Sequence, residues 1–392
     1  MYWKWKVNGE ESLVPDAVLV DLRTDTITQP TQEMREVMVN AIVGDDVYGE
    51  DPTVAELERR CAELVGKEDA LFVASGTMAN LIAIMVHCNR RDAEIISGDN
   101  AHTFRFEQGG VAQIAGVQSA LLRNKKDGTF DLNELRDKIR VDSDLHEPIT
   151  QLIIVENTHN MCGGKVLPLD WLGSVQNMAR EFGVKVHMDG ARVMNAAIYQ
   201  KIHVSEIAKY VDSICFCLSK GLCAPVGSIL AGSRNFVAKA RRTRKVLGGG
   251  WRQAGFLAAA GMVAIHTMID RLEQDHIHAY KIAKAINDVG SHLCSVDLLN
   301  VQTNIVMVNV DRTKTSAKEL LERFASVLPS DSVRVSVRAC SRDPGFFRIV
   351  LHHGITEELV QAAIEKMVMV IKEFEENIQS IEKIPTYNVI TN

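Results

Sequence analysis

Lys220 closes an apolar run, Ser213-Ile214-Cys215-Phe216-Cys217-Leu218-Ser219, and Gly221-Leu222 follow at once. A lysine at the mouth of a buried strand is costly, because desolvation disfavours its ammonium form. The neutral amine that burial favours is a nucleophile toward carbonyl carbon. Thirty-one residues earlier a second apolar run, Val184-Lys185-Val186-His187-Met188, ends in Asp189-Gly190-Ala191-Arg192. A strand-end lysine, aspartate and arginine are the parts that pyridoxal 5′-phosphate (PLP) requires. The amine forms a Schiff base, the carboxylate faces the ring nitrogen and the guanidinium faces the ring oxygen. A solvated turn carrying a salt bridge is the plain alternative for 189–192.

Further groups belong with these three. Ser75-Gly76-Thr77 stands between an apolar run and a helical stretch, so backbone N–H groups and a positive helix end converge there, as a phosphate requires. Ser75 or Thr77 acting only as a helix cap is the alternative. His102 follows another strand end, where an imidazole can stack on a cofactor ring and handle protons. Three more histidines, His146, His159 and His187, lie in or near this region, and His187 sits inside a strand as a core residue. Arg348 interrupts the apolar run Phe346-Phe347-Arg348-Ile349-Val350. It calls for an anion, either the carboxylate of an amino-acid substrate or an internal acid. The basic run Lys239-Ala240-Arg241-Arg242-Thr243-Arg244-Lys245 leads into Gly248-Gly249-Gly250-Trp251-Arg252. It reads as a solvated helix face or, with three glycines permitting close backbone approach, as a subunit interface reaching a neighbouring site.

The elements that must position these residues alternate. Apolar runs at 70–74, 94–97, 117–122, 151–155, 184–188, 213–218 and 228–231 are continuous rather than alternating in polarity, with helical stretches between most of them. That pattern predicts a buried, mostly parallel sheet between helices. Residues 232–289 read as long helices, the second from Arg252 to about Val289, and a smaller α+β pattern follows. The expected organisation is an N-terminal arm (1–50), a large PLP-binding α/β domain (51–270), a small C-terminal α+β domain (271–384) and a tail (385–392). The chain of 392 residues is 46% hydrophobic and carries a net charge of −6, which argues against a nucleic-acid or membrane-surface role. Eight cysteines without metal spacing, and no signal-like N-terminus, predict reduced thiols in a cytoplasmic protein with no metal.

With these motifs in hand, the chain resembles the low-specificity L-threonine aldolases, fold type I PLP enzymes of the aspartate-aminotransferase-like superfamily, over about residues 19–355. The likeness is carried by Asp21-Leu22-Arg23-Thr24-Asp25-Thr26, Val43-Gly44-Asp45-Asp46-Val47-Tyr48-Gly49, Ser75-Gly76-Thr77-Met78-Ala79-Asn80, Glu156-Asn157-Thr158-His159-Asn160, Asp189-Gly190-Ala191-Arg192, Ser219-Lys220-Gly221-Leu222 and Gly248-Gly249-Gly250, in order. The resemblance implies Lys220 as Schiff-base lysine, Asp189 and Arg192 as ring partners, Ser75, Gly76 and Thr77 as phosphate contacts, and His102 as the stacking imidazole. It further implies Thr24 and Arg348 as the substrate-carboxylate clamp and His146 as a second active-site histidine, His146 or His102 being the base. Lys245 and Arg252 are implied as residues lent by an adjacent subunit of a homotetramer built from dimers. The implied reaction is reversible retro-aldol cleavage of L-threonine or L-allo-threonine to glycine and acetaldehyde. β-Elimination, racemisation or transamination are the alternatives on the same scaffold, and a non-enzymatic PLP-binding protein is the competing class. Two departures stand out: Cys223 where the family has glycine, and His352-His353-Gly354 in place of His-x-Asp.

Overall fold

The computed structural model describes residues 17–141 and 144–382; the expected tail and residues 1–16 of the arm lie outside them. The strands in chain order are β1 (Val18–Asp21), β2 (Asp69–Val73), β3 (Ala93–Gly98), β4 (Gln118–Leu122), β5 (Ile149–Glu156), β6 (Lys185–Asp189), β7 (Ser213–Cys217) and β8 (Ser228–Gly232). They are followed by β9 (Cys294–Ser295), β10 (Ile305–Val310), β11 (Val335–Arg338), β12 (Cys340–Asp343) and β13 (Phe346–Val350). Seven form one sheet in the order β2-β8-β7-β6-β5-β3-β4. β8 runs antiparallel to both its neighbours, and the remaining pairs are parallel. Every residue of β3, β7 and β8 is buried, which is why these runs carry no polar alternation.

Local signals fix the helices around this sheet. In the Pro52–Val65 helix, Asp51 accepts N–H bonds from Thr53 and Val54, Pro52 takes the first position, and Gly66 stops the helix in the left-handed conformation at φ 65°. The long helix expected from Arg252 to Val289 is two helices, Gly255–Thr267 and Leu272–Asp288, bent by 68°. The break is functional for packing. Leu272 joins the large core around Phe216 and Leu218, whereas Ile282 and Ile286 join a second core around Phe324, Phe347 and Met367.

The small domain holds a four-stranded sheet, β12-β13-β10-β9, and a two-stranded parallel pair, β1-β11. That pair ties part of the expected N-terminal arm to the small domain. Val18 to Asp21 register against Val335 to Arg338, and Val20 and Leu22 are fully buried in the small-domain core. A strand of four residues is too short to announce itself by periodicity.

The basic run also takes a different part from the one expected. β2 is an edge strand, and unpaired edge N–H and C=O groups invite association. At Phe72 the backbone N–H donates to Glu58 Oε1 (2.9 Å) and the carbonyl accepts from Arg244 Nη1 (2.7 Å). Arg241 pairs with Glu58 at 2.6 Å, and Arg244, 2% exposed, pairs with buried Asp46. Two of the basic side chains therefore shield the edge of their own sheet. Arg244→Ala would strand Asp46 and is expected to cost about 3–5 kcal/mol, read as a lowered denaturation midpoint, while exposed Lys239→Ala should stay within about 0.5 kcal/mol of the parent.

Candidate active site

The parallel strands all end on one side of the sheet, and in open α/β sheets that edge is where ligands bind. Ser75 follows β2, His102 follows β3, Asn157 follows β5, Asp189 ends β6 and Lys220 follows β7. Lys220 is half-buried. Its carbonyl accepts from Thr28 Oγ1 and from the Cys223 N–H, each at 2.9 Å, so the arm and the following turn both hold it. Cys223 has φ 65°, the left-handed region that favours glycine, which gives the departure from family pattern a physical meaning. Burial pushes its thiol up to about 11, so it is no nucleophile near neutral pH.

Asp189 is 2% exposed. Burial alone would raise its pKa, but the charges of His102 and Lys220, the Ala191 N–H (3.1 Å) and the Asn80 amide (2.9 Å) outweigh that and hold it below the carboxylate range. Gly190 next to it accommodates the turn only because it lacks a side chain: a Cβ would lie 2.5 Å from the Cys215 carbonyl oxygen. Glu107 lies close by under opposite conditions. Its burial, together with the charge of Asp189, pushes it up despite bonds from His102 Nδ1 and Asn80 Nδ2, both 2.9 Å. Burial pulls His102 down, but Glu107, Asp189 and Glu156 together raise it. A nitrogen of His102 and oxygens of Glu107 and Asp189 lie within 4.8 Å of one another. These are donor atoms of the kind a metal accepts; Asp189 Oδ1 and Oδ2 and Glu107 Oε1 also accept N–H bonds. Glu156 staples the surrounding loops, accepting from the backbone of His102 (2.7 Å) and Asn160 (2.8 Å).

Arg192 is buried and forms a two-pronged pair with Asp25, at 2.7 Å from Nε and 2.6 Å from Nη2. Burial would raise Asp25, but Arg192, Lys220 and Arg348 lower it to about 2. Thr24, next to it, accepts from the Thr26 N–H. Arg348 donates to Asn160 Oδ1 and to the Arg23 carbonyl, both neutral acceptors. It sits 7% exposed against the Thr24 segment and the loop after β5, and its charge helps to lower Asp25.

At the turn expected to hold phosphate, Ser75 Oγ caps the Gly76–His87 helix by accepting from Met78 N–H (3.2 Å). The capping reading therefore holds, and it leaves the first-turn N–H groups of Gly76 and Thr77 outside the helical ladder. Gly76 must lack a side chain, since a Cβ would lie 2.9 Å from Cys217 Sγ. The residues fit PLP. Asp189 is an ionised acceptor for a ring N–H, Arg192 presents a guanidinium beside it, and the buried Asn157 Nδ2 at the end of β5 has no protein partner.

Of the expected residues, His146 lies away from its own chain's site, and Lys245 and Arg252, expected from a neighbouring subunit, stand on the surface. His146 is 93% exposed and pairs with Asp144 ahead of β5, at the end of the sheet opposite the site. β5 alone spans eight residues, roughly 25 Å, so His146 cannot serve the site of its own chain. Lys245 and Arg252 are exposed; Lys245 lies against Gly250, and Arg252 pairs with Asp45 of the same chain at 3.0 Å. Gly249 packs on Met78, which brings this segment to the first turn of its own chain's Gly76–His87 helix. Asp25, Asn80, Glu107 and Asn157 went unassigned. Asp25, Asn80 and Asn157 stand inside the motifs that carry the resemblance, and Glu107 stands five residues past His102, but nothing in their types singles them out.

Fold and constellation together define a fold type I PLP enzyme. The chain belongs to the beta-eliminating lyase family, whose model matches residues 21–313. It is 43% identical over 343 residues to low-specificity L-threonine aldolase 1 of Arabidopsis thaliana, covering 86% of this chain and 92% of that protein. It is 43% identical over 299 residues to the low specificity L-threonine aldolase of Escherichia coli K12, covering 76% and 87%. The structure of Leishmania major threonine aldolase superposes with TM-score 0.72 at 18% identity over 92% of this chain and 99% of that one, a likeness of fold.

The His102–Glu107 pair has a signature. A raised imidazole contributes stability below its ordinary pKa of about 6.5, and that contribution fades as pH rises through the raised value. Glu107→Gln is expected to move the His102 titration downward, read by NMR of labelled histidine with His102→Asn supplying the assignment.

Proposed function

We propose that the protein catalyses reversible retro-aldol cleavage of L-threonine and L-allo-threonine to glycine and acetaldehyde, and of related β-hydroxy-α-amino acids, with PLP as cofactor. The observation that carries this reading is the sorting of charge at the strand ends: an ionised Asp189, a Lys220 amine and a proton-holding His102–Glu107 pair converge on one edge. Bound PLP supplies an electron sink for the pair released as the Cα–Cβ bond breaks.

The chain's own residues do the rest. Arg348 and Thr24 bind the substrate carboxylate and so fix the amino acid at one end. Asp189 keeps a proton on the ring nitrogen, because an ionised carboxylate there accepts it as a hydrogen bond. Glu107 holds the Nδ1 proton of His102, which leaves Nε2 as the atom that takes and returns the β-hydroxyl proton. Arg192, fixed by Asp25, offers its guanidinium to the ring oxygen.

Association into a homotetramer, a dimer of dimers, is part of the proposal. It is supported by Val39, Ile42, Tyr48 and Val246, large apolar side chains that are 73–79% exposed and that association would cover. It also gives His146 a role in a neighbouring subunit's site. A reducing, cytoplasmic compartment is supported by the eight cysteines, all free thiols. Light scattering should report a tetramer, and Ile42→Asp with Val246→Asp should shift it to smaller species.

The family's name leaves β-elimination as the second reading, and products separate the two. Incubation with threonine, allo-threonine and serine should release glycine and the matching aldehyde. Keto acid and ammonia as the main products would favour elimination. Lys220→Ala should lose both turnover and the visible absorbance of the bound cofactor; undiminished turnover would sink the assignment.

A further inference from the structure

Behind the site runs a chain of hydrogen bonds that the proposed reaction does not use. Asn80, 1% exposed on the Gly76–His87 helix, donates from Nδ2 to Asp189 Oδ2 and Glu107 Oε1, both at 2.9 Å. Its Oδ1 faces His187 Nε2 at 3.0 Å and Cys215 Sγ at 3.1 Å. His187 Nδ1 lies 2.9 Å from Ser213 Oγ, which in turn lies 2.8 Å from His87 Nε2. His87 is half-buried and stacks on Phe236, with ring centroids 4.6 Å apart.

Chemistry fixes the direction of every proton in this chain. Two carboxylates can only accept from Asn80, so the NH2 end faces them and the carbonyl end faces His187. His187 must then carry its proton on Nε2, leaving Nδ1 to accept from the Ser213 hydroxyl. The Ser213 oxygen in turn accepts from the His87 Nε2–H. Both imidazoles stay neutral, because burial pulls His187 to about 4 and His87 to about 3. The arrangement is no proton wire, since an amide neither takes nor passes a proton readily. It is a strut.

We propose that Asn80 is a positioning residue that joins the Asp189 and Glu107 carboxylates in one geometry, and that His187 and Ser213 act through Asn80 by fixing which way its amide faces. Without the strut, two carboxylates beside each other have no shared donor, and the amide is free to turn its oxygen toward them. This inference rests on the PLP reading only for the identity of what Asp189 faces.

The test is a double-mutant cycle on the full-length protein, with Asn80→Leu, His187→Phe and both together. The readouts are threonine kcat and KM, and PLP affinity measured by titrating cofactor into the apoprotein. Asn80→Leu removes a bond to an ionised carboxylate and is expected to weaken PLP binding and lower kcat roughly ten- to hundredfold, with KM nearly unchanged because Arg348 and Thr24 are untouched. His187→Phe should show a smaller loss of the same kind, and that loss should vanish when Asn80 is already Leu. Ser213→Ala, a smaller change in the same chain, supplies the cycle again should His187→Phe fail to fold. Losses that simply add in both cycles would overturn the proposal. So would an Asn80→Leu variant with lowered thermal stability but unchanged kcat and PLP affinity. A parent protein that takes up no PLP would instead overturn the functional reading, so the two failures are told apart.

Discussion

The pair between Asp25 and Arg192 is the constraint on which the site's geometry rests. Both side chains are withdrawn from water, Asp25 completely, and each shifts in the direction that pairing demands, Asp25 down and Arg192 up. An ion pair at that depth is weak evidence of net stabilisation, but removing one partner leaves an uncompensated charge. Its effect is therefore on position. Asp25 lies on the N-terminal segment, Arg192 on the large domain, and Asn304 of the small domain adds a third bond to Asp25 at 3.3 Å. One carboxylate ties three parts of the molecule beside Lys220. Because Asp25 is held at about 2, its contribution is full above the ordinary carboxylate range and is lost only as pH falls toward that value.

Two carboxylates a few ångströms apart would ordinarily resist a common ionised state. Here their surroundings divide them. Asp189 receives a backbone N–H, the Asn80 amide and the fields of His102 and Lys220, while Glu107 receives the His102 imidazole and the field of Asp189 itself. A pair of acids pushed apart in this way is the usual means by which one site runs acid and base chemistry at the same pH. The pieces are carried on strand ends rather than on long loops, and the turns beside them are too tight at Gly76 and Gly190 to admit side chains.

Much of this was readable from residue order. Continuous apolar runs located the seven strands of the large sheet to within a residue or two, because burial on both faces removes polar alternation. Lys220, Asp189 and His102 were readable because each stands just beyond such a run. The remainder was hidden for a common reason. Arg192 finds Asp25 across 167 residues, and Asn80 reaches Asp189 across 109, and neither separation leaves a local pattern. His146 shows the reverse error. The resemblance implies it as an active-site histidine, but it precedes β5, and strand direction puts it at the far end of its own chain's sheet. The interaction of the basic run with the β2 edge was equally invisible, since edge position is a property of sheet order.

The parallel pairing of β1 with β11 has a consequence for how the protein is made. Val18 leaves the ribosome before every strand of the large sheet, and its partner Val335 after all of them. The large domain's strands and their helices are complete well before that. Thr28, Asp25 and Thr24 follow directly on β1, so the segment that holds the Lys220 carbonyl and pairs with Arg192 can be pinned only after β11 has emerged. The last part of the active site to be fixed is thus built from residues translated before the large sheet, and a nascent chain carries its completed sheet through the interval from β8 to β11 without a finished substrate clamp.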